Sequence, residues 1–222
     1  MPRLIDLSHT ITADATAYPG LPNPEIRDHL TWEQSHRYYA DGTEFRIGHI
    51  TMVGNTGTYL DTPAHRYRDG YDLSQLPLER IVDIPGVRVP AHTRQITPEA
   101  LEDIDISGRA VLFDTGWSKH WCTDHYSCPE HPFIDLDTAH ALIKGGATLV
   151  GIDSVNIDDT SPASHGRRPA HSALLQHGIP IVEHLCQVAA LRDREFTFTA
   201  VPVKINNFAT FPVRAYAQVH KR

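Results

Sequence analysis

Short runs of β-branched and aromatic residues, each interrupted by Gly, Pro or polar residues, recur along the chain. Leu4–His9, Thr43–Ile50, Val87–Pro90, Ala110–Thr115, Leu149–Asp153, Ile179–Glu183 and Phe196–Ile205 have the composition and length of strands. Between some of them the signals become helical. Thr97 is placed to cap a helix that opens at Pro98 and runs through Glu102, and Asp137 to cap another that ends at Gly145 and Gly146. Ala170–His177 forms a third, stopped by Gly178. Strands crowd the first half and alternate with helices in the second, so the expected fold is α/β, a mixed β-sheet core with helices packed on it. Pro and Gly are dispersed, with a rigid loop at Tyr18–Pro24, and no repeat or low-complexity tract divides the chain. One domain over residues 1–222 is expected.

Composition removes several function classes. No run approaches the roughly 18 apolar residues of a membrane span, and Met1–His9 has neither a basic start nor an apolar signal core, so a cytoplasmic location is expected. A formal net charge of −7 disfavours nucleic acid as a partner, and the nearest basic cluster, Arg167 and Arg168 with His165 and His171, is short. Three cysteines (Cys122, Cys128, Cys186) are an odd number and do not make a disulfide framework. The 15 histidines stand out against 20 Lys and Arg. Imidazole is the commonest metal ligand and titrates near neutrality, yet rings such as His29, His92, His177 and His220 read as surface or hydrogen-bonded residues.

Candidate chemistry gathers at residues 55–65. Asn55, Gly57, Tyr59, Asp61, Pro63 and His65 occupy every second position, so an extended chain sends them to one face. Asp61 and His65 would then stand about 13 Å apart at roughly 3.3 Å per residue, too far to share an ion with ligand bonds near 2 Å. Thr62-Pro63 suits a bend, with Thr capping a turn and Pro at its first position, which brings the carboxylate and the imidazole within one turn. The competing reading makes Asp61 a cap with His65 packed beside it. A second pair shifts the balance: His171 lies on a helix and Glu183 ends the strand that follows. Glu183 interrupts the run Ile179–Val182, and a carboxylate there is costly unless paired with a base or bound to a cation.

These residues resemble the cyclase-like metal-dependent hydrolases, which include bacterial kynurenine formamidase and isatin hydrolase. The resemblance runs through Asp6–His9, Tyr18–Gly20, Gly57-Thr58-x-x-Asp61-x-Pro63-x-His65, Thr115–Trp117, Gly151–Ser154, the pair His171 and Glu183, and Pro212–Ala215. It implies a swivelling β/β/α-type fold and self-association as a dimer or tetramer. The family signature is His-x-Gly-Thr-His-x-Asp-x-Pro-x-His; Asn55 and Tyr59 stand where it has its first two histidines. In binuclear members those two belong chiefly to one metal position. The resemblance therefore implies one divalent metal, zinc or manganese, held or bordered by Asp61, His65, His171 and Glu183.

The expected reaction is metal-dependent hydrolysis of an amide, lactone or ester in a small, possibly cyclic molecule. Glu183 or His65 is the expected proton acceptor, and since a ligand cannot freely be both, one of the four is expected to lie outside the coordination sphere. Asn55 and Tyr59 are expected to bind the substrate carbonyl, with Tyr18, Trp117 and Phe208 shaping the pocket. The alternative is a catalytically inactive or metal-free member that binds a small molecule. His120-x-Cys122-x-x-His125-x-x-Cys128-x-x-His131 carries zinc-ligand types at a non-standard spacing and is expected to be an ordinary loop. Ser154 follows a strand without the Gly-x-Ser-x-Gly elbow of a nucleophile.

Overall fold

The computed structural model describes residues 3–14 and 20–219. Strand β1 (Arg3–Asp6) leads to a hairpin of β2 (Glu25–Leu30) and β3 (Ile47–Thr51), with the short helix α1 (Trp32–Ser35) between them. Then follow β4 (Tyr59–Asp61), β5 (Ile84–Pro90), β6 (Gln95–Ile96), β7 (Ala110–Asp114) and β8 (Phe133–Ile134). Helix α2 (Leu136–Lys144), β9 (Leu149–Ile152), helix α3 (Pro169–Gln176) and β10 (Ile181–Glu183) come next, and β11 (Phe196–Thr199), β12 (Thr210–Pro212) and β13 (Tyr216–Val219) close the chain. Nine strands make one mixed sheet in the order β1-β13-β11-β5-β7-β9-β10-β4-β12. Its centre, β5-β7-β9-β10, is parallel, and both wings are antiparallel.

Central strands of a parallel sheet are covered on both faces, and the apolar runs of β7 and β9 answer to that. Ala110, Leu112 and Leu149 enter one core cluster, while Val111, Phe113, Val150 and Ile152 enter the other, as a period of two requires. The second cluster lies under α2 and α3 and contains Ala139, Leu142, Ala170 and Leu174. The first joins residues from both wings, such as Ile5, Leu60, Phe198 and Ala217, so the sheet curls around it. Beyond β1 the chain continues the curl: Leu7 N–H donates to Ala215 O, Cys186 N–H to Leu7 O, and Ser8 bridges Leu185 just after β10. Gly151 sits at this seam, where a Cβ would come within 2.7 Å of Leu112 and 2.8 Å of Leu185. Among the described residues, no helix is long and apolar enough to cross a membrane.

Several local expectations move. The cap of α2 is Asp135, whose Oδ1 accepts from Thr138 N–H at 2.8 Å, and Asp137 lies inside the first turn. Pro98–Leu101 forms a 3-10 turn in place of a helix. The strand expected over Phe196–Ile205 ends at Thr199, because Ala200 N–H turns to Ile81 O and Pro202 has no N–H to give. Strand β3 covers Ile47–Thr51 and not the full Thr43–Ile50 run, and all five of its residues are exposed.

Sequence motifs in distant segments meet as structural joints. Asp153 accepts from Thr115 N–H (2.8 Å), Thr115 Oγ1 (2.6 Å) and Gly116 N–H (3.0 Å), so two of the motif segments form one corner. Arg214 donates to Asp6 at 2.9 and 2.6 Å, tying the closing motif to the opening one. His131 is fully buried and faces inward, with Nδ1 3.0 Å from Pro132 O and 3.2 Å from Ser154 Oγ and Nε2 2.8 Å from Thr160 Oγ1.

Burial holds His131 neutral, lowering its pKa to about 4; the nearby charges are Arg94, Asp159 and Arg168. The unfolded chain takes up this proton at higher pH than the folded one, so stability is full above the unfolded value of 6.5 and falls as the pH drops toward about 4. One such ring accounts for a loss of about 2 kcal/mol between pH 7.5 and 5. Urea unfolding of the wild type and His131→Gln at both pH values checks this: the variant should show the smaller drop. Equal drops would show that the ring is not held neutral.

Candidate functional site

The site grows from β4, which lies between β10 and β12. Antiparallel register sets Tyr59 opposite Glu183 on one side and Asp61 opposite Thr210 on the other. Residues directly opposite each other on one face are within reach of a side-chain bond, and both pairs make one. Tyr59 Oη donates to Glu183 Oε2 at 2.5 Å, and Thr210 Oγ1 donates to Asp61 Oδ1 at 2.5 Å. Leu60, between them, points into the core.

After Asp61 the chain bends. Thr62 is extended, and Pro63–His65 makes one 3-10 turn with Pro at its start. Thr62 does not cap this turn; its hydroxyl donates to Ala209 O at 2.8 Å and locks the bend to the segment before β12. The turn brings His65 Nδ1 to 3.7 Å from Asp61 Oδ1. Nor is Asp61 a cap: its Oδ1 is taken by Thr210, and its Oδ2 is buried without a hydrogen-bond partner.

Thr210 also sets the tautomer of His65. Its single proton goes to Asp61, so at 2.9 Å from His65 Nδ1 the hydroxyl oxygen can only accept, which puts a proton on Nδ1 and leaves Nε2 with a lone pair. His171 is oriented in the same way from the other side. Asp158, on the loop before α3, accepts from Ala170 N–H (2.7 Å), His171 N–H (3.0 Å) and His171 Nδ1 (2.7 Å). The carboxylate thus caps a helix whose own cap position, Arg168, makes no side-chain capping bond to it. His171 Nε2 is left facing Asp61 Oδ2 at 3.7 Å and Glu183 Oε1 at 3.6 Å.

Three acids and two imidazoles share a space closed to water at its floor. Burial works against the His171 imidazolium, but Glu183, then Asp158 and Asp61, overcome it and lift the pKa well above 6.5. Burial and, less strongly, the Asp61 charge raise the Glu183 carboxyl to about 7, against the pull of His171, Tyr59 Oη and Ile157 N–H. Tyr59 is held far above 10 by burial and by the Glu183 and Asp61 charges, so it stays a neutral donor.

A charged carboxylate oxygen buried without a donor is costly in a protein interior, and a cation is the partner that removes the cost. Asp61, His65 and His171 each offer one ligand atom, all within 4.8 Å of one another. Two imidazoles and one carboxylate with an open side match the donor set of a catalytic metal site, so these residues fit a divalent ion. Glu183 lies beside this trio, against His171, and is not part of that group.

The trio opens onto a cavity of about 240 Å³ lined by Leu21, Asn55, Tyr59, His65, Arg66, Asn156, Arg168, His171 and Glu183. Asn55 lines it beside Tyr59. Tyr59 meets the cavity with its hydroxyl already committed to Glu183. Trp117 does not line the cavity: its indole N–H donates to Tyr126 O at 2.8 Å, and its ring packs on His120 and His125. Phe208 lies against Phe211, and Tyr18 falls outside the described residues. In the His/Cys-rich loop, Cys128 Sγ meets His125 Nδ1 at 3.4 Å, while His131 is drawn into the core away from them. Ser154 is buried with its hydroxyl 3.2 Å from His131 Nδ1, but the other nitrogen of that ring meets Thr160 Oγ1 and not a carboxylate. Asp158, Thr210 and Asn156 were not legible as site residues.

Comparison with known proteins agrees over almost the whole length. The Cyclase family model, described as "Putative cyclase", matches residues 5–159. The chain is 32% identical over 214 residues to the kynurenine formamidase of Salinibacter ruber (strain DSM 13855 / M31), covering 96% of this chain and 95% of the relative. It is 28% identical to that of Geobacillus thermodenitrificans (strain NG80-2), with 95% of each chain covered. Among solved structures, isatin hydrolase A from Labrenzia aggregata bound to benzyl benzoate has a TM-score of 0.84 at 23% identity, covering 99% of this chain and 94% of that one. A potential metal-dependent hydrolase with cyclase activity has a TM-score of 0.77 at 23% identity and covers both chains completely. These two likenesses are of fold.

The Tyr59–Glu183 pair gives a stability test. Tyr59→Phe strips one donor from a buried carboxylate and should destabilise chelator-treated protein by about 1–3 kcal/mol at pH 8.5, where Glu183 is ionised. At pH 5.5 the protonated carboxyl needs that donor less, and the cost in urea unfolding should shrink. A cost that does not change with pH would show that Tyr59 does not serve the charged form.

Proposed function

The chain belongs to the Cyclase family, and we propose that it is a metal-dependent hydrolase of an amide, lactone or ester bond in a small molecule. The observation that carries this reading is Asp61 Oδ2, buried and without a hydrogen-bond partner, with ligand atoms of His65 and His171 within 4.8 Å. Asp61, His65 and His171 would hold one divalent ion, zinc or, where water completes a larger shell, manganese. The chemistry such an ion supplies is Lewis acidity, which acidifies water and polarises a carbonyl.

The protein groups divide the remaining work. Thr210 fixes the His65 tautomer, so Nε2 is available to bind the ion or to accept a proton at the cavity wall. Asp158 holds the His171 ring by its Nδ1 proton, the arrangement that keeps a ligand imidazole basic and aimed. Glu183 is the other candidate proton acceptor, since a carboxyl lifted to about 7 is poised to exchange a proton near neutrality. Asn55 is placed to bind a substrate carbonyl with its amide, and Tyr59 supports Glu183. The supported substrate is a small molecule, by the relatives' names and the cavity volume of about 240 Å³. The location we infer is cytoplasmic.

Self-association is part of this reading. The β2-β3 hairpin exposes Ile26, Trp32, Tyr38, Phe45, Ile47 and Ile50 to solvent, and a two-stranded ribbon of this kind is marginal in water by itself. A second copy of the chain is the proposed cover, giving a dimer or tetramer. Light scattering coupled to size exclusion should find an oligomer for the wild type and a monomer for Phe45→Asp/Ile47→Asp; a monomeric wild type would remove the proposal.

The central test is metal content and turnover together. Protein purified without chelator should carry about one equivalent of metal per chain and hydrolyse members of a panel of formamides, cyclic amides and lactones. His65→Ala and Glu183→Gln should each lose most turnover. Asp158→Asn should lose roughly 10–100-fold in metal affinity. A metal-free, inactive wild type would favour a binding protein on the same fold, and full activity in both variants would remove these residues from the reaction.

A further inference from the structure

A second gathering of metal-ligating side chains lies on the loop between β7 and β8. After the 3-10 turn Trp117–His120, the chain runs through a succession of tight turns. Thr123 N–H donates to His120 O at 3.1 Å, Tyr126 N–H to Thr123 O at 3.0 Å, and Cys128 N–H to His125 O at 3.2 Å. Turns of this kind bring side chains three residues apart together. His131 is held in the core, but the turn over 125–128 sets Cys128 Sγ 3.4 Å from His125 Nδ1. The His125 ring in turn meets the His120 ring edge to face, with centroids 4.4 Å apart.

The platform under these groups is fixed. The Trp117 ring centre lies 4.8 Å from that of His120 and 5.0 Å from that of His125, and its indole N–H donates to the carbonyl of Tyr126, a buried residue. His125 is exposed, and His120 and Cys128 are half-buried, so an ion can reach them from solvent. Desolvation, together with the His125 and Lys119 charges, keeps His120 below the usual imidazole value, which leaves a neutral ring with a lone pair near pH 7. Desolvation and the neighbouring Glu130 hold the Cys128 thiol above its ordinary value, so its S–H donates to His125 Nδ1. A cation that takes the place of that proton finds a sulfur and a nitrogen lone pair already facing it. The distance fits as well: zinc bonds of about 2.0–2.1 Å to imidazole and about 2.3 Å to thiolate, opened at a tetrahedral angle, separate the two ligand atoms by about 3.5 Å. Among the described residues, three ligand atoms within 4.8 Å of one another occur at Asp61, His65 and His171, so the His120 nitrogen has to swing toward the loop pair. A ring already in contact with His125 can do so by rotation about its side-chain bonds.

We propose that His125 and Cys128, joined by His120, form a second metal site, which takes a thiophilic ion of the zinc class and staples the loop between β7 and β8. Binding replaces the proton between sulfur and nitrogen: the S–H bond breaks, the proton leaves to solvent, and the thiolate sulfur and the imidazole nitrogen each bond to the ion. Water completes the tetrahedron. Sulfur makes the site selective for zinc over magnesium, calcium or manganese. It is independent of the reaction proposed at Asp61, where the ligands are two imidazoles and a carboxylate.

Cobalt(II) is the probe, because thiolate ligation gives it a sulfur-to-metal charge-transfer absorption that nitrogen and oxygen ligands do not. The Asp61 site holds no sulfur, so the band reports the loop whether or not that site is filled. Wild-type protein titrated with cobalt should develop the band and saturate it at one sulfur-bound ion per chain, and zinc added afterwards should erase it. Cys128→Ser should abolish the band. His125→Ala should weaken cobalt binding at least tenfold, and His120→Ala several-fold. Cys122→Ser, at an exposed cysteine of the same loop, should leave band and affinity unchanged. Circular dichroism of each variant checks that the fold is kept. No band in the wild type, a band that survives Cys128→Ser, or unchanged affinity in His125→Ala would overturn the site.

Discussion

Asp61 is the group on which the site depends. Its carboxylate is fully buried at the end of a three-residue strand, and its pKa is nonetheless lowered, because His65, His171 and Thr210 together outweigh the burial that opposes its charge. One oxygen is satisfied across the sheet by Thr210, and the other has no hydrogen-bond partner. A charge so placed must draw compensation from its surroundings or be destabilising. The surroundings show that compensation: the Pro63–His65 turn carries one imidazole back toward Asp61, and α3 holds another in place by way of Asp158. The same acids that keep a proton on His171 form a site attractive to a divalent ion.

The legible part of this arrangement was the part that local geometry governs. A period of two puts Tyr59 and Asp61 on one face, and a proline at the start of a turn forces His65 back toward Asp61; both follow from a few neighbouring residues. The central strands were legible for the same reason, since an apolar run such as Ala110–Phe113 has little alternative to burial on both faces. Side-chain partners brought together by sheet closure were not. Thr210 lies 149 residues from Asp61, and its role comes from the β4-β12 register, which no local pattern encodes. Asp158 was missed because its carboxylate serves a helix that begins eleven residues later. Tyr59 lines the cavity where a substrate group is expected, and the further bond its hydroxyl makes to Glu183 was invisible without the pairing.

Motif residues that attract attention in a sequence also do structural work here. Asp153 and Thr115, in two segments of the family pattern, spend their polar groups on each other at a corner between two parallel strands. Ser8 lies at the seam of the curl, with its hydroxyl within reach of both Val213 O and Ala215 O. His131 closes the apparent zinc pattern by sequence, yet its ring is held in the core by Pro132, Ser154 and Thr160. Spacing alone cannot separate such residues from ligands, since the same side chains satisfy buried backbone groups and bind ions.

The division of labour between the two site carboxylates follows from their hydrogen bonds. Glu183 accepts from Ile157 N–H at 2.6 Å with one oxygen and from Tyr59 Oη at 2.5 Å with the other, so both oxygens are engaged before any ligand arrives. Asp61 has an oxygen to spare. A metal ion drawn to this pocket meets least competition at Asp61, whereas Glu183 would have to share a lone pair already directed at a donor. Tyr59 is central to that difference. Where the family signature places a second imidazole, this chain places a phenol whose proton stays on, and that proton is given to Glu183. On the proposed reading, the replacement does more than delete a ligand. It supplies a neutral donor to one carboxylate, which offsets part of the negative charge that a second cation would otherwise have balanced, and it leaves the other carboxylate with the unfilled demand for a cation. The two remaining histidines face that demand from opposite sides, each with Nδ1 committed to a partner that fixes which nitrogen is left.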